Sequence, residues 1–320
     1  MSGTQKLLGV VMDPIETITP AKDSTLAMML AAQSRGWTLV YLRQNDLSVR
    51  NGVALGNGAN LTVADDATSW FEIGDPWSGT LDELDVILMR KDPPFNIEYI
   101  YTTYILELAE RLGALVVNKP ASLRDINEKA STAWFPDCTP RSLISREHVE
   151  LRAFLEEEGK IAIKPLDGMG GRSIFIVTSD DQNSNVIIET LTDNGSQFAL
   201  AQQFIPEIED GDKRILLING SPVDHTLARI PAPGDSRGNL VMGARGEGRE
   251  LTERDREIAD RVGPVLRDKG VMFAGLDIIG DYLTEINVTS PTGIREIDRA
   301  FDLTISDTLF DAIDERLQKI

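Results

Sequence analysis

Lys164-Pro165-Leu166-Asp167-Gly168-Met169-Gly170-Gly171 is the stretch on which the reading of the fold turns. A lysine closes the apolar run Ile161 to Pro165, a glycine-rich loop follows, and Ser173 to Val177 resumes as a second apolar run. That order excludes two familiar phosphate cradles. In a P-loop the lysine follows the glycines and a helix comes next. In a dinucleotide fingerprint a helix opens after the glycines. A β–loop–β flap can still hold phosphate: glycines let backbone N–H groups approach anionic oxygens, and Lys164 adds a point charge. The same residues also suit an ordinary glycine-rich hairpin turn.

Upstream of the flap, strands and helices alternate. Leu7 to Met12 is an unbroken apolar run ending at Asp13-Pro14, the pattern of a strand buried on both faces. Ser24 to Arg35 reads as a helix that Asp23 or Ser24 can cap and Gly36 stops. Leu39 to Leu42, Val86 to Met89 and Leu115 to Val117 read as further strands. Asn96 to Arg111 reads as a long helix with Ile97, Ile100, Tyr104, Leu108 and Leu112 on its apolar face. The alternation predicts a doubly wound parallel sheet over roughly residues 1–120. Residues 48–80, rich in Gly, Asn and Asp with Trp70, Phe71 and Trp77, give no assignable pattern.

After Pro120 the pattern changes. Ser122 to Trp134 and Glu147 to Glu158 read as helices, and Phe198 to Phe204 as a strand. Ile215 to Ile218 and Val223 to Ile230 form a hairpin turned at Asn219-Gly220. Thr252 caps a helix running to Lys269, and a last strand pair spans Val271 to Val288. Hairpins with flanking helices make an α+β body. Pro231 to Gly248, with five glycines and two prolines, reads as a mobile lid.

Composition removes other function classes. Lys plus Arg is 32 and Asp plus Glu is 51, a net charge of −19 that repels phosphate backbones. Nonspecific nucleic-acid binding is therefore not expected, and an anionic ligand needs a local cluster of Arg or Lys. One cysteine, Cys138, excludes a disulfide framework and a Cys-rich zinc site. Two histidines, His148 and His225, leave no His-rich metal centre. No apolar run approaches the ~20 residues that cross a bilayer, and the N-terminus lacks a secretory cleavage site. The expectation is a soluble cytoplasmic protein with no membrane partner.

Three further sets of residues carry chemistry. Asp277 interrupts an apolar strand, and Glu285 and Asn287 share one face of the next. Their hard oxygens suit Mg²⁺. A two-residue turn at Gly280-Asp281 pairs Asp277 with Thr284 and puts Asp277 and Glu285 on opposite faces. A three-residue loop, or a bulge, puts them on one face, and the metal reading requires that. Arg214, Arg229 and Arg237 form an arginine set suited to carboxylates, and Arg229, inside an apolar strand, needs a partner. Lys129 alone reads as part of a solvated helix face, Arg90 stands at a strand's carboxyl end where open α/β sheets bind ligands, and Lys22 follows the first strand.

Lys129, then Lys164 with its flap, then Thr284-Glu285-Ile286-Asn287-Val288-Thr289-Ser290-Pro291-Thr292 stand in an order that resembles the ATP-grasp superfamily, and more closely the prokaryotic glutathione synthetases. Matching stretches include Leu88-Met89-Arg90-Lys91-Asp92-Pro93-Pro94-Phe95, Val117-Asn118-Lys119-Pro120, Gly211-Asp212-Lys213-Arg214 and Leu227-Ala228-Arg229-Ile230-Pro231. The resemblance implies an ATP-grasp fold behind an N-terminal pre-ATP-grasp domain, with units at 1–125, 126–205 and 206–320. It implies ATP-dependent joining of γ-glutamylcysteine to glycine through an acyl phosphate. By analogy Lys129 and Lys164 contact ATP phosphates under a flap that includes Gly168, Gly170 and Gly171. Gln202, Gln203, Phe204 and Ile205 edge the adenine, and Asp212 meets the ribose side. Asp277, Glu285 and Asn287 hold Mg²⁺ or Mn²⁺. Arg214, Arg229 and Arg237 orient the peptide and the phosphoryl group; Lys22, Arg90, Ser290 and Thr292 meet substrate; and 230–246 is a closing loop. The family analogy also implies a homotetramer. Rival readings are another ATP-grasp carboxylate–amine ligase, such as a D-alanine:D-alanine or glutamate-adding enzyme, and a nucleotide-binding cousin without turnover.

Overall fold

The apolar run near the N-terminus becomes strand β1 (Leu7–Val11), fully enclosed along most of its length. It opens a computed structural model that describes residues 5–168, 173–232 and 243–319. Helix α1 (Ser24–Ser34) follows, and the Asp23 carboxylate accepts the Leu26 N–H as its cap. Then come β2 (Thr38–Leu42), β3 (Leu47–Arg50), β4 (Val53–Val63), β5 (Phe71–Thr80), β6 (Val86–Met89), α2 (Ile97–Arg111), β7 (Leu115–Val117) and α3 (Pro120–Asp125). β2, β1, β6 and β7 pair in parallel, as the βαβ alternation predicts. Residues 48–80 resolve into antiparallel strands: β4 pairs with β2, β3 and β5, extending the sheet to seven strands.

Two expectations are corrected here. The buried residues of α2 are Tyr99, Thr102, Thr103, Leu106 and Ala109. Ile97, Tyr104 and Leu112, expected inside, are exposed, and Tyr101 joins them on the surface. The continuous helix expected over 122–134 is broken: α3 ends at Asp125, and a 3₁₀ turn covers Ala130–Trp134. Lys129 therefore lies at a chain reversal and not on a helix face.

The second sheet contains β8 (Ser142–Ser145), β9 (Lys160–Pro165), β10 (Phe175–Thr178) and β11 (Ala199–Gln203), in the order β10-β9-β11-β8. Helices α4 (His148–Glu158) and α5 (Ser184–Leu191) cover one face. Gly159 ends α4 at a φ of 72°, a conformation that favours glycine. This unit has its own core, in which Leu151, Leu155 and Ile188 pack on Ile161, Ile163, Val177, Ala199 and Ala201.

The third sheet orders β14 (Arg245–Glu250), β13 (Ser221–Ile230), β12 (Asp212–Ile218), β15 (Phe273–Ile279) and β16 (Tyr282–Asn287). The β12–β13 turn uses Asn219 and Gly220, both at positive φ, as a type I′ turn demands. Helix α6 (Glu253–Asp268) starts with a reciprocal capping box between Thr252 and Asp255. Helices α7 (Ile294–Phe301) and α8 (Ile305–Leu317) close the chain. Residues of this sheet share continuous apolar clusters with the first. Within the expected lid, Arg245 to Gly248 belong to β14, held by the ladder to β13; residues 233–242 lie outside the described residues.

Candidate active site

The face question at the acidic hairpin is settled by a bulge. Gly280-Asp281 is a two-residue turn, so Ile279 pairs with Tyr282 and Ile278 with Leu283. The ladder then shifts, and Asp277 pairs with Glu285. Thr284 is the extra residue, its hydroxyl donating to the Asp277 carbonyl at 3.1 Å. A β-bulge puts two residues opposite one, and it returns both carboxylates to the same face. Asn287, two residues beyond Glu285, shares that face, and its amide nitrogen donates to the Gly275 carbonyl at 3.4 Å. The amide oxygen is left as the acceptor.

Two lysines meet this face from separate elements. Lys164 is next to last in β9, on the opposite parity from the apolar residues that pack on α4 and α5, so it points away from that core. Lys129 enters from the reversal between α3 and the 3₁₀ turn. Their Nζ atoms lie 3.6 and 3.5 Å from the same Glu285 oxygen, and both side chains are buried. Burial opposes the charge on Lys129, but the Glu285 and Glu128 carboxylates overcome it and raise its pKa. Lys164 has burial against it and Lys129 as a like-charged neighbour, and its pKa is lowered. Burial works against ionised Glu285 too, yet the two ammonium groups hold its pKa below the ordinary carboxylate value.

Beside them lies a second buried charge cluster. Arg214 donates through Nε and Nη2 to the two oxygens of Asp277, at 2.5 and 3.0 Å. Arg229 Nη2 reaches the same carboxylate at 2.9 Å and also bonds Asp212. The partner that Arg229 needed is thus a pair of aspartates. Against burial, the two guanidinium groups hold the Asp277 carboxyl far below its ordinary range. Asp212 shares only one arginine, and burial pushes it up to about 7. Its Oδ1 is buried without a partner among the described residues.

The donor set on the hairpin fits a hard divalent cation: two carboxylates held ionised and one amide oxygen on one face. No cluster of three His, Cys, Asp or Glu side chains suited to a metal occurs among the described residues, so the amide is an essential member. Asp277 already receives three bonds from arginines, and a cation would share its oxygens.

The remaining expected site residues divide clearly. Arg90 is buried at the end of β6, with Nε donating to Thr25 Oγ1 at 3.0 Å and Nη2 to the Pro291 carbonyl at 2.9 Å. Those bonds, and no ion pair to Asp92, hold it. Ser290 Oγ donates to Asp92, and the Thr292 carbonyl accepts from Arg214 Nη1 at 3.4 Å. Gln202 is buried in β11 with Nε2 unpartnered among the described residues. Gln203 stays on the same strand, Phe204 lies under Lys160 Nζ at 3.7 Å, and Ile205 is buried. Gly168 has its carbonyl bonded to Lys129 Nζ. Lys22 is exposed and is not brought to the cluster. Gly170, Gly171 and Arg237 lie outside the described residues.

Two contributors were not foreseen. Asn127 caps the turn that carries Lys129 by accepting the Lys129 and Ala130 N–H groups, and it donates to the Leu166 carbonyl at 3.1 Å. Glu128 accepts the Thr289 hydroxyl at 2.9 Å, and burial together with Glu285 raises its pKa. The polar triplet Asn127-Glu128-Lys129 was the signal in the sequence.

The chain is similar to known proteins along nearly its whole length. Residues 7–124 match the family model of the prokaryotic glutathione synthetase N-terminal domain, and residues 128–302 match that of the prokaryotic glutathione synthetase ATP-grasp domain. A glutathione synthetase of Pseudomonas aeruginosa is 59% identical over 310 residues, covering 97% of this chain and 98% of that one. One from Vibrio vulnificus is 55% identical over 311 residues with the same coverage. Among solved structures, the D-cycloserine synthetase DcsG aligns with a TM-score of 0.68 at 13% identity, over 97% of this chain and 99% of that one. D-alanyl-alanine synthetase A from Vibrio cholerae aligns at 0.62 and 15% identity, over 99% of each chain. At such identities these two structures speak for the ATP-grasp fold alone. Because both family models match and the identities hold from end to end, the chain belongs to the prokaryotic glutathione synthetases, ATP-dependent ligases of the ATP-grasp fold.

Proposed function

We propose that the chain joins γ-L-glutamyl-L-cysteine to glycine, giving glutathione, ADP and phosphate through an acyl-phosphate intermediate. The observation that carries this reading is the convergence of Lys129 and Lys164, from two separate elements, on one oxygen of Glu285, within 3.6 Å. Two buried ammonium groups facing a carboxylate-bearing hairpin suit a nucleotide triphosphate with its cation. A carboxylate is a poor electrophile, and phosphorylation gives it a leaving group. Catalysis then needs positioning and charge stabilisation and no protein nucleophile.

Lys129 and Lys164 bind the phosphates, with Gly168, whose carbonyl accepts from Lys129 Nζ, beside them. Gln202, Gln203, Phe204 and Ile205 border the base, with Gln202 Nε2 as a free donor, and Asp212 faces the ribose. Asp277, Glu285 and Asn287 would hold Mg²⁺, or Mn²⁺ in its place, which supplies positive charge to the phosphate oxygens when bound. Arg214 and Arg229 orient the transferring group and the peptide carboxylate, with Arg90, Ser290 and Thr292 on the peptide side. The separate core of the middle sheet supports a division into three working units, 1–125, 126–205 and 206–320, with the middle one as a lid.

The net charge of −19 supports small-molecule partners and no nucleic acid. No helix among the described residues is long and apolar enough to cross a membrane. One buried free cysteine, Cys138, supports a reducing, cytoplasmic setting. The row Ile97, Tyr101, Tyr104 and Leu112, exposed along α2, supports self-association as a homotetramer.

The test is ADP release with γ-glutamylcysteine plus glycine, against D-alanine pairs and against glutamate as acceptor, with and without Mg²⁺ or Mn²⁺. Strong preference for the first pair with a divalent cation is expected. Preference for another pair would reassign the ligase, and nucleotide binding without ADP release from any pair would mark a non-catalytic cousin.

A further inference from the structure

Asn118 follows the last residue of β7, and its side chain is buried. Nδ2 donates to the Phe273 and Val288 carbonyls, each at 2.7 Å. Oδ1 accepts the Met272 and Phe273 N–H groups at 2.8 and 2.9 Å. Two donors and two lone pairs are the whole capacity of a carboxamide, so every bond it can make is made. All four run to the open end of the β15–β16 hairpin, where β15 begins and β16 has just ended. Val288 directly follows Asn287. One side chain therefore ties the carboxyl edge of the first sheet to the hairpin that bears Asp277, Glu285 and Asn287.

The same two bodies meet again farther along. Arg90 Nη2 donates to the Pro291 carbonyl, and the Ile294 N–H donates to Ser24 Oγ at 3.2 Å. These contacts adjoin Arg90, Ser290 and Thr292, which the proposed function puts with the peptide. None of the bonds of Asn118 among the described residues goes to β9, β11 or β12, which carry Lys164, Gln202 and Asp212. Without Asn118, two buried N–H groups and two buried carbonyls would be left unpaired. A carboxamide with all its bonds made fixes relative position.

We propose that Asn118 is a positioning residue, which sets the distance between the nucleotide's γ-phosphoryl group on the hairpin side and the peptide carboxylate on the Arg90 side. The proposal rests on the ligase reading given above. In the step concerned, a carboxylate oxygen forms a bond to the γ-phosphorus while the bond from that phosphorus to the β–γ bridging oxygen breaks. The electron pair leaves on ADP. A misplacement of about 1 Å costs roughly 100-fold in such a reaction.

The experiment compares the full-length wild type with Asn118→Leu, which removes all four bonds, and Asn118→Asp, which keeps both acceptor functions and removes both donors. Folding is followed by circular dichroism, nucleotide binding by titration with a nonhydrolysable ATP analogue, and turnover by ADP and amide product together. For folded variants the expected result is a kcat lower by about 10- to 100-fold, with analogue affinity within about two-fold of wild type. ADP released per amide bond should rise above one, because a misplaced acyl phosphate meets water before glycine. Unchanged kcat and coupling in a folded variant would overturn the proposal. So would a loss that tracks only the folded fraction, or failure of Asn118→Asp to fold at all, since either assigns the residue to folding alone. If the wild type makes no amide from γ-glutamylcysteine and glycine, the functional reading fails by itself, and the variants are then compared on whichever pair the wild type uses.

Discussion

Replacing Glu285 by glutamine pits two effects against each other. The Glu285 oxygen lies 3.5 and 3.6 Å from the two lysine Nζ atoms. At an effective dielectric near 20, a unit charge pair at that range interacts by about 5 kcal/mol. The Glu285 side chain keeps 20% of its exposure, so water screens part of this. A net effect on the order of 1–3 kcal/mol on an incoming anion is a reasonable scale, equivalent to about 10- to 100-fold in affinity. Glu285→Gln removes the charge that neutralises both lysines while keeping the side chain's shape. In EDTA, the variant should therefore bind a nonhydrolysable ATP analogue more tightly than wild type, by roughly that factor. With Mg²⁺ present it should still fail to turn over, because the cation loses a carboxylate ligand. Calorimetric titration in EDTA and in Mg²⁺, beside an ADP-release assay, reads both effects. Equal metal-free affinities in wild type and variant would refute the electrostatic reasoning, and full turnover with Mg²⁺ would refute the ligand assignment.

Asp212 predicts a pH dependence of known sign. Its carboxyl is raised to about 7 in the fold, chiefly by burial, from an unfolded value of 3.8. Its contribution to stability is therefore fully present below about pH 4 and is lost as pH rises through about 7. Asp212→Asn lacks that loss, so its unfolding free energy from urea titration should gain on wild type between pH 5 and 8, by on the order of 1 kcal/mol or more; a gap that does not change with pH would exclude it. On α2, Tyr104→Asp with Leu112→Asp places two charges in the exposed apolar row. Sedimentation should show a smaller species than wild type, with helix content unchanged, and an unchanged sedimentation coefficient would rule that row out as an interface.

Legibility followed the range of the interaction. Short-range chemistry was readable: the Thr252 cap and the Asn219-Gly220 turn came out as the residues predict, Asp23 was the cap of the two candidates offered, and the apolar run Leu7 to Met12 is a strand over Leu7–Val11. The α2 helix was also found, but its buried side was misassigned. Two apolar stripes lie side by side on it, and periodicity identifies stripes without saying which one has a partner. Strands β3, β4 and β5 were invisible because polar residues and glycines interrupt their apolar residues, and only the ladder to β2 makes them a sheet. β14 was hidden in the same way inside the glycine-rich segment.

The sequence by itself determined the chemical inventory: two lysines, a glycine-rich stretch, an arginine set and three oxygen-bearing side chains in a family's order, in a chain of net charge −19 with one Cys and two His. Only the tertiary structure decided how these groups meet. The bulge at Thr284 puts Asp277 and Glu285 on one face, and the reversal after Asp125 buries Lys129 beside Glu285. It also set Arg214 and Arg229 together on Asp277 and left Lys22 in solvent. The physical reason is distance along the chain. Caps and turns depend on neighbours within about four residues, and those are written in order. A contact such as Lys129 with Glu285 depends on how separate elements pack, and no local pattern records that.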